Sequence, residues 1–146
     1  CSTAAKAAEA RQAVADGTTE IDMVLNVGRL VSGDDDYCTE DIRGVVEAAD
    51  GRPVKVILEV CLLDDEQIVR ACECAVAAGA AFVKTSTGFS TGGATIHAVK
   101  LMRQTVGDAC QIKAAGGIHT KEEALAMIEA GADRIGASAS IAICEG

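Results

Sequence analysis

The stretch Val54-Lys55-Val56-Ile57-Leu58-Glu59-Val60 (VKVILEV, residues 54–60) decides the architecture. A strand places alternate side chains on opposite faces. Val54, Val56, Leu58 and Val60 therefore share one face, suited to packing on helices. Lys55, Ile57 and Glu59 share the other. A face that carries both a lysine and a glutamate is no ordinary hydrophobic core. It fits the inward face of a β/α barrel, where polar groups gather toward the catalytic mouth.

The punctuation around this strand agrees with it. AVADGTTEIDMV (13–24), AVAAGAAFVKTS (75–86) and AMIEAGADRIGAS (126–138) echo one another. Each ends an alanine-rich helix, passes through Gly17, Gly79 or Gly131, and enters a short apolar run. Such repeated helix–glycine–strand units imply parallel strands joined by helices. The pattern predicts strands over 20–27, 54–60, 82–86, 111–116 and 134–138. It predicts helices over 2–16, 37–49, 65–78, 94–106 and 121–130. A complete eight-stranded barrel takes about 250 residues, or roughly 31 per unit. At that rate the 146 residues supply about five units. The predicted fold class is α/β, a single partial domain over residues 1–146 of the (β/α)8 TIM-barrel family. Cys1, in place of Met, opens directly into a helix, and the chain reads as the later part of a larger barrel.

Composition narrows the partners. Hydrophobic residues make up 49% of the chain, far too many for a disordered segment. Lys+Arg number 13 against 22 Asp+Glu, a net charge of −9. Nucleic acid and anionic membrane surfaces both require a basic face, so neither is an expected partner. No apolar run approaches the roughly 18 residues of a membrane helix, and no signal peptide is read, so a cytoplasmic location is expected. The seven cysteines are odd in number and lack a Cys-x-x-Cys pair, which predicts small buried hydrophobes in a reducing compartment. His97 and His119 are not spaced as zinc ligands, so neither a metal nor a cofactor is expected.

Ionisable residues recur at corresponding places on the predicted strands: Asp22 in EIDMV, Lys55 in VKVILE, Lys84 in FVKTSTG and Lys113 in QIKAAGG. A single strand lysine commonly snorkels to a rim or pairs with an acid. Lysines in strand after strand call for another explanation. If Lys84 and Lys113 stand at one level, mutual repulsion and desolvation both disfavour protonation. A neutral lysine amine attacks carbonyls and forms a Schiff base. Asp22 is read either as a salt-bridge partner or as the acid/base that moves protons around the imine. Glycines supply a second constellation. Gly88 follows Lys84, Gly116 and Gly117 follow Lys113, and Gly136 precedes Ser138. All lie at or past predicted C-terminal strand ends, where backbone N–H groups can approach a phosphate closely.

Taken together, EIDMVLNVGRL, VKVILEVCLL, AGAAFVKTSTGF, IKAAGGI and ADRIGASAS resemble the deoxyribose-phosphate aldolases, a family of class I aldolases. The resemblance runs through essentially all of the chain. It implies a β/α barrel that cleaves 2-deoxy-D-ribose 5-phosphate reversibly to glyceraldehyde 3-phosphate and acetaldehyde without metal. It implies Lys84 as the Schiff-base lysine, Lys113 as the lysine that perturbs it, and Asp22 as the proton donor and acceptor. Gly88, Gly116, Gly117, Gly136 and Ser138 match positions around the substrate phosphate. His119 stands where many relatives carry arginine, and the family's first strands have no counterpart. Two other readings compete. One is a phosphosugar isomerase or epimerase barrel with Asp22 as a simple base. The other is an inactive truncated barrel whose exposed edges pair within an assembly, in keeping with an expected homo-oligomer.

Overall fold

In chain order, the computed structural model of residues 1–146 runs α1 (Thr3–Ala15), β1 (Ile21–Val24), α2 (Val27–Val31), α3 (Asp35–Ala48), β2 (Val54–Ile57), a 3-10 turn (Val60–Leu62), α4 (Asp65–Ala77), β3 (Phe82–Lys84), α5 (Ile96–Val106), β4 (Gln111–Ala115), α6 (Lys121–Ala130), β5 (Arg134–Gly136) and α7 (Ser140–Glu145). Local chemistry fixes where the helices begin. Ser2, Asp34 and Thr95 each accept a hydrogen bond from a first-turn N–H of α1, α3 and α5. Asp64 with Gln67, and Thr120 with Glu123, close reciprocal capping boxes on α4 and α6.

The five strands form one parallel sheet in the order β1-β2-β3-β4-β5. Register is Asp22 to Lys55, Lys55 to Phe82, Ile57 to Lys84, Lys84 to Lys113, and Lys113 to Arg134. The alternation read from VKVILEV holds. Val54, Val56 and Leu58 join one apolar cluster with Ile42 and Val45 of α3, Ile68 and Ala71 of α4, and Val99 and Met102 of α5. Truncating such a side chain, for example Leu58 to Ala, costs about 2–5 kcal/mol. The opposite face carries charge and is still buried at β2, where Lys55 is only 3% exposed. The sheet curls so far that Arg134, opening β5, donates to both carboxylate oxygens of Glu20, just before β1, at 3.0 Å. Side chains at the two ends of the sheet thus bridge its concave face, in keeping with a partial barrel.

The differences from the sequence reading lie at element ends. The strands stop at Val24, Ile57, Lys84, Ala115 and Gly136, short of the predicted 27, 60, 86, 116 and 138. Ladder-like hydrogen bonds nevertheless continue, from Leu58 N–H to Lys84 C=O and from Val60 N–H to Thr85 C=O, each 2.9 Å. At Glu59 the backbone turns left-handed, with φ 58°, and the strand gives way to the 3-10 turn. The short helices α2 and α7 were not predicted, because five or six residues carry too little periodicity to register. The cysteine expectation needs correction as well. Cys38, Cys72, Cys74 and Cys110 are buried, whereas Cys1, Cys61 and Cys144 are exposed. Burial pushes the Cys72 thiol up to about 12. No helix is long and apolar enough to cross a membrane.

Candidate active site

Three consecutive strands deliver lysines to the concave face, and each strand's own alternation aims them there. Lys84 is the last residue of β3 and stands beside Lys113 of β4 in register. Lys55 lies one step lower, paired with Asp22. Asp22 gathers two of the three. Lys55 donates to its Oδ1 at 2.9 Å, and Lys84 donates to its Oδ2 at 3.2 Å. Partial burial works against ionisation of Asp22, but the hydrogen bond and charge of Lys55, then those of Lys84, outweigh it. The carboxyl is held below its ordinary range.

Below this layer sits a floor that the sequence reading missed. Glu20 accepts from Arg134 and, at 3.3 Å, from Lys55, and these contacts lower its pKa. The Phe82 ring lies beneath both cations, with Arg134 Cζ 4.5 Å and Lys55 Nζ 5.5 Å from its centroid. Lys113 takes no part in these ion pairs. Burial disfavours its ammonium first, and the positive charges of Lys55 and Lys84 add to the effect, so its pKa is lowered. Asp22 compensates Lys84 directly, whereas Lys113 has no carboxylate partner, and its lowered pKa follows from burial and its cationic neighbours.

The C-terminal ends of the strands frame a cavity of about 390 Å³ above the lysines. Lys84 and Lys113 form part of its lining, with Gly88, Gly116, Gly117, Gly136 and Ser138 around the rim. Seven of the eight residues singled out from sequence therefore share one cavity, and the eighth, Asp22, touches it through Lys84. Thr87 and His119 also line it and had no assigned role. Gly136 proves to have a second reason for being glycine. A Cβ there would stand 2.8 Å from Lys113 Cε, so its absence makes room for the lysine stem. A larger cavity of about 460 Å³ runs between α1 and the unpaired edge of β1, away from the glycine rim. No group of His, Cys, Asp and Glu is arranged to hold a metal ion.

A paired lysine and carboxylate beside a second lysine whose ammonium is disfavoured by burial can form an imine and move protons around it. Comparison with known proteins agrees in kind. Residues 2–146 match the family model described as DeoC/LacD family aldolase. The chain is 59% identical over 145 residues to the deoxyribose-phosphate aldolase of Finegoldia magna, covering 99% of this chain and 68% of that protein. It is 61% identical over 142 residues to the Bacillus cytotoxicus protein of the same name, covering 97% and 64%. Among solved structures, the tetrameric deoxyribose phosphate aldolase from Aeropyrum pernix superposes with TM-score 0.89 at 32% identity, over 99% of this chain and 62% of that one. An aldolase named QR15 superposes with TM-score 0.93 at 41% identity, over 99% and 66%. The chain thus spans about two thirds of the length of the curated relatives it matches. By the match over residues 2–146 and its identity to these relatives, the chain belongs to the DeoC/LacD aldolase family.

Proposed function

We propose that residues 1–146 act as one partial barrel unit of a class I aldolase, a carbon–carbon lyase. The reaction is reversible cleavage of 2-deoxy-D-ribose 5-phosphate to D-glyceraldehyde 3-phosphate and acetaldehyde. The observation that carries the reading is the Lys84–Asp22 contact at 3.2 Å, at the floor of a glycine-rimmed cavity, with Lys113 in register alongside.

The arrangement supports the following course. Burial and the neighbouring cations disfavour the ammonium form of Lys113, so its free amine is available to take up the proton that Lys84 must lose. The Lys84 amine then adds to the open-chain aldehyde carbon, giving a carbinolamine. Asp22 relays the proton that leaves with the hydroxyl as water, and the protonated imine forms. Asp22, again a carboxylate, takes the proton from the C3 hydroxyl as the C2–C3 bond breaks, and the imine accepts the electron pair. Glyceraldehyde 3-phosphate departs. The enamine is protonated on carbon, and water releases acetaldehyde from Lys84. Gly88, Gly116, Gly117, Gly136 and Ser138 suit the phosphate end of the substrate, since small residues let backbone N–H groups come close.

β1 and β5 each have one sheet neighbour, and such edges favour association, so a homo-oligomer is proposed. Four buried free thiols suit a reducing compartment, which favours the cytoplasm.

The test is chemical. Acetaldehyde and borohydride should leave an ethyl group on Lys84, located by peptide mass spectrometry. Lys84→Leu should abolish the adduct. A folded parent chain that forms no adduct, or a Lys84→Leu chain that forms as much, would overturn the assignment.

A further inference from the structure

Glu59 is the one buried acid on the concave face that the proposed reaction does not use. It sits at the end of β2, 6% exposed, with φ 58°. Side chains other than glycine, asparagine and aspartate seldom occupy that left-handed region. Such strain persists only where surrounding contacts hold it, and it concentrates at functional sites. The contacts here are specific. The Glu59 carboxylate accepts from the Thr87 backbone N–H at 3.2 Å and from the Thr87 hydroxyl at 2.6 Å. With its proton committed to Glu59, Thr87 Oγ1 in turn accepts from the Phe89 N–H at 3.1 Å. One carboxylate thus orients the whole Thr87–Gly88–Phe89 turn that follows Lys84.

The rest of that loop is held from two sides. Cys61, two residues after Glu59, lies 3.4 Å from Ser90 Oγ, and Thr91 Oγ1 donates to its sulfur at 3.9 Å. At the far end, the Ala94 N–H donates to Ala115 and Gly116 carbonyls at 3.1 and 3.0 Å. The loop is therefore a strap from the end of β2 to the end of β4, and it carries Thr87 and Gly88 on the cavity lining.

We infer that Glu59 is a positioning residue, which fixes the Thr87–Gly88 turn through a strained backbone and a buried carboxylate and so sets the affinity for the phosphorylated substrate. The inference rests on the aldolase reading for its substrate. A small aldehyde needs only Lys84, whereas a sugar phosphate spans the cavity to the rim. Loss of Glu59 therefore affects the larger ligand alone.

Glu59→Gly relieves the left-handed backbone and removes both hydrogen bonds, so the variant should melt no lower than the parent chain. Its KM for 2-deoxyribose 5-phosphate should rise about tenfold or more, the worth of two net hydrogen bonds, with kcat falling less. Its acetaldehyde adduct at Lys84 should match that of the parent. Glu59→Gln, which keeps one acceptor oxygen, should recover part of the affinity. Adding Thr87→Val to Glu59→Gly should cost less than a further twofold, since both act through one turn. Amide hydrogen exchange across residues 86–90 should speed up in Glu59→Gly. An unchanged KM, or a KM effect that multiplies with that of Thr87→Val, would overturn the inference while leaving the aldolase reading intact. If the parent chain forms no adduct, the aldolase reading fails, and unchanged exchange across 86–90 would then overturn the role of Glu59 as well.

Discussion

Replacing Asp22 with Asn should destabilise the fold more than removing Lys55, although Lys55 is the more deeply buried of the pair. The Lys55 side chain is 4% exposed and that of Asp22 40%. Lys55 depends on two carboxylates, Asp22 at 2.9 Å and Glu20 at 3.3 Å. Deleting one partner of a fully buried ion pair costs about 3–5 kcal/mol, because the other charge is stranded. Here Asp22 is partly solvated and Glu20 remains, so about half of that, ~2 kcal/mol, is expected. In a domain of this size the loss lowers Tm by about 4–8 °C. Lys55→Met strands nothing, since Asp22 keeps Lys84 at 3.2 Å and Glu20 keeps Arg134 at 3.0 Å. Its Tm should stay within about 2 °C of the parent. The double variant should melt with Lys55→Met, above Asp22→Asn, a plainly non-additive result. Thermal melts followed by far-UV circular dichroism near neutral pH read all four proteins. The sign with pH is also fixed. A carboxyl whose folded pKa lies below its unfolded value stabilises the fold above the unfolded value, about 3.9 for aspartate. That contribution is lost as pH falls through the folded value, so the gap between parent and Asp22→Asn should close in acid. An Asp22→Asn chain that melts with the parent, or a double variant that melts below Asp22→Asn, would refute the stranded-lysine reasoning.

Lys113 carries the opposite sign. Its ammonium is disfavoured in the fold, so the penalty is fully present while the group is protonated in both states, and it disappears as pH rises from the folded value toward about 10.4. Lys113→Met should therefore be stabilised relative to the parent below that window, with the gain shrinking through it, while turnover falls about 10²-fold or more. Denaturant unfolding across a pH series checks the first point, and a flat difference would contradict it. Gly93→Ala should lose about 2 kcal/mol or more and raise KM, because its Cβ would stand 2.3 Å from the Gly116 carbonyl oxygen, a backbone atom with nowhere to go. Parent-like melting and parent-like KM together would rule out that close approach.

The layout of the site was legible wherever one strand's alternation sufficed. Asp22, Lys84 and Lys113 each announce themselves as a charge inside an apolar run, and strand register then brings them together. What lay hidden depended on partners far apart in sequence. Glu20 belongs to the polar turn before β1, and its partner Arg134 is 114 positions away. Neither looks unusual until the sheet curls. Glu59 could be read as inward-facing, yet nothing in VKVILEV specifies a left-handed backbone or a bond to Thr87, 28 positions on. The choice of lysine that pairs with Asp22 was likewise invisible. Which of two neighbouring lysines gains a carboxylate is decided by side-chain reach across the concave face, and Asp22 reaches Lys84.

That asymmetry follows from the whole row of interior charges. Arg134, Glu20, Lys55, Asp22 and Lys84 form an unbroken chain of alternating sign, every link between 2.9 and 3.3 Å. Each interior member of the chain has an opposite charge on both sides. Lys84 closes it at the cavity, and Lys113 is left outside with cations on both neighbouring strands. Its register partner Arg134 adds to the repulsion, since that guanidinium is committed to Glu20 and anchored over Phe82. An even distribution of acids would have compensated both upper lysines and left no group ready to take a proton. Glu20 and Asp22 are both taken up by this chain of charges and the third interior carboxylate, Glu59, is committed to Thr87, so Lys113 goes without a partner. The curl of the sheet assigns that vacancy to Lys113, which lines the cavity beside Lys84, where a free amine would serve the imine proposed there.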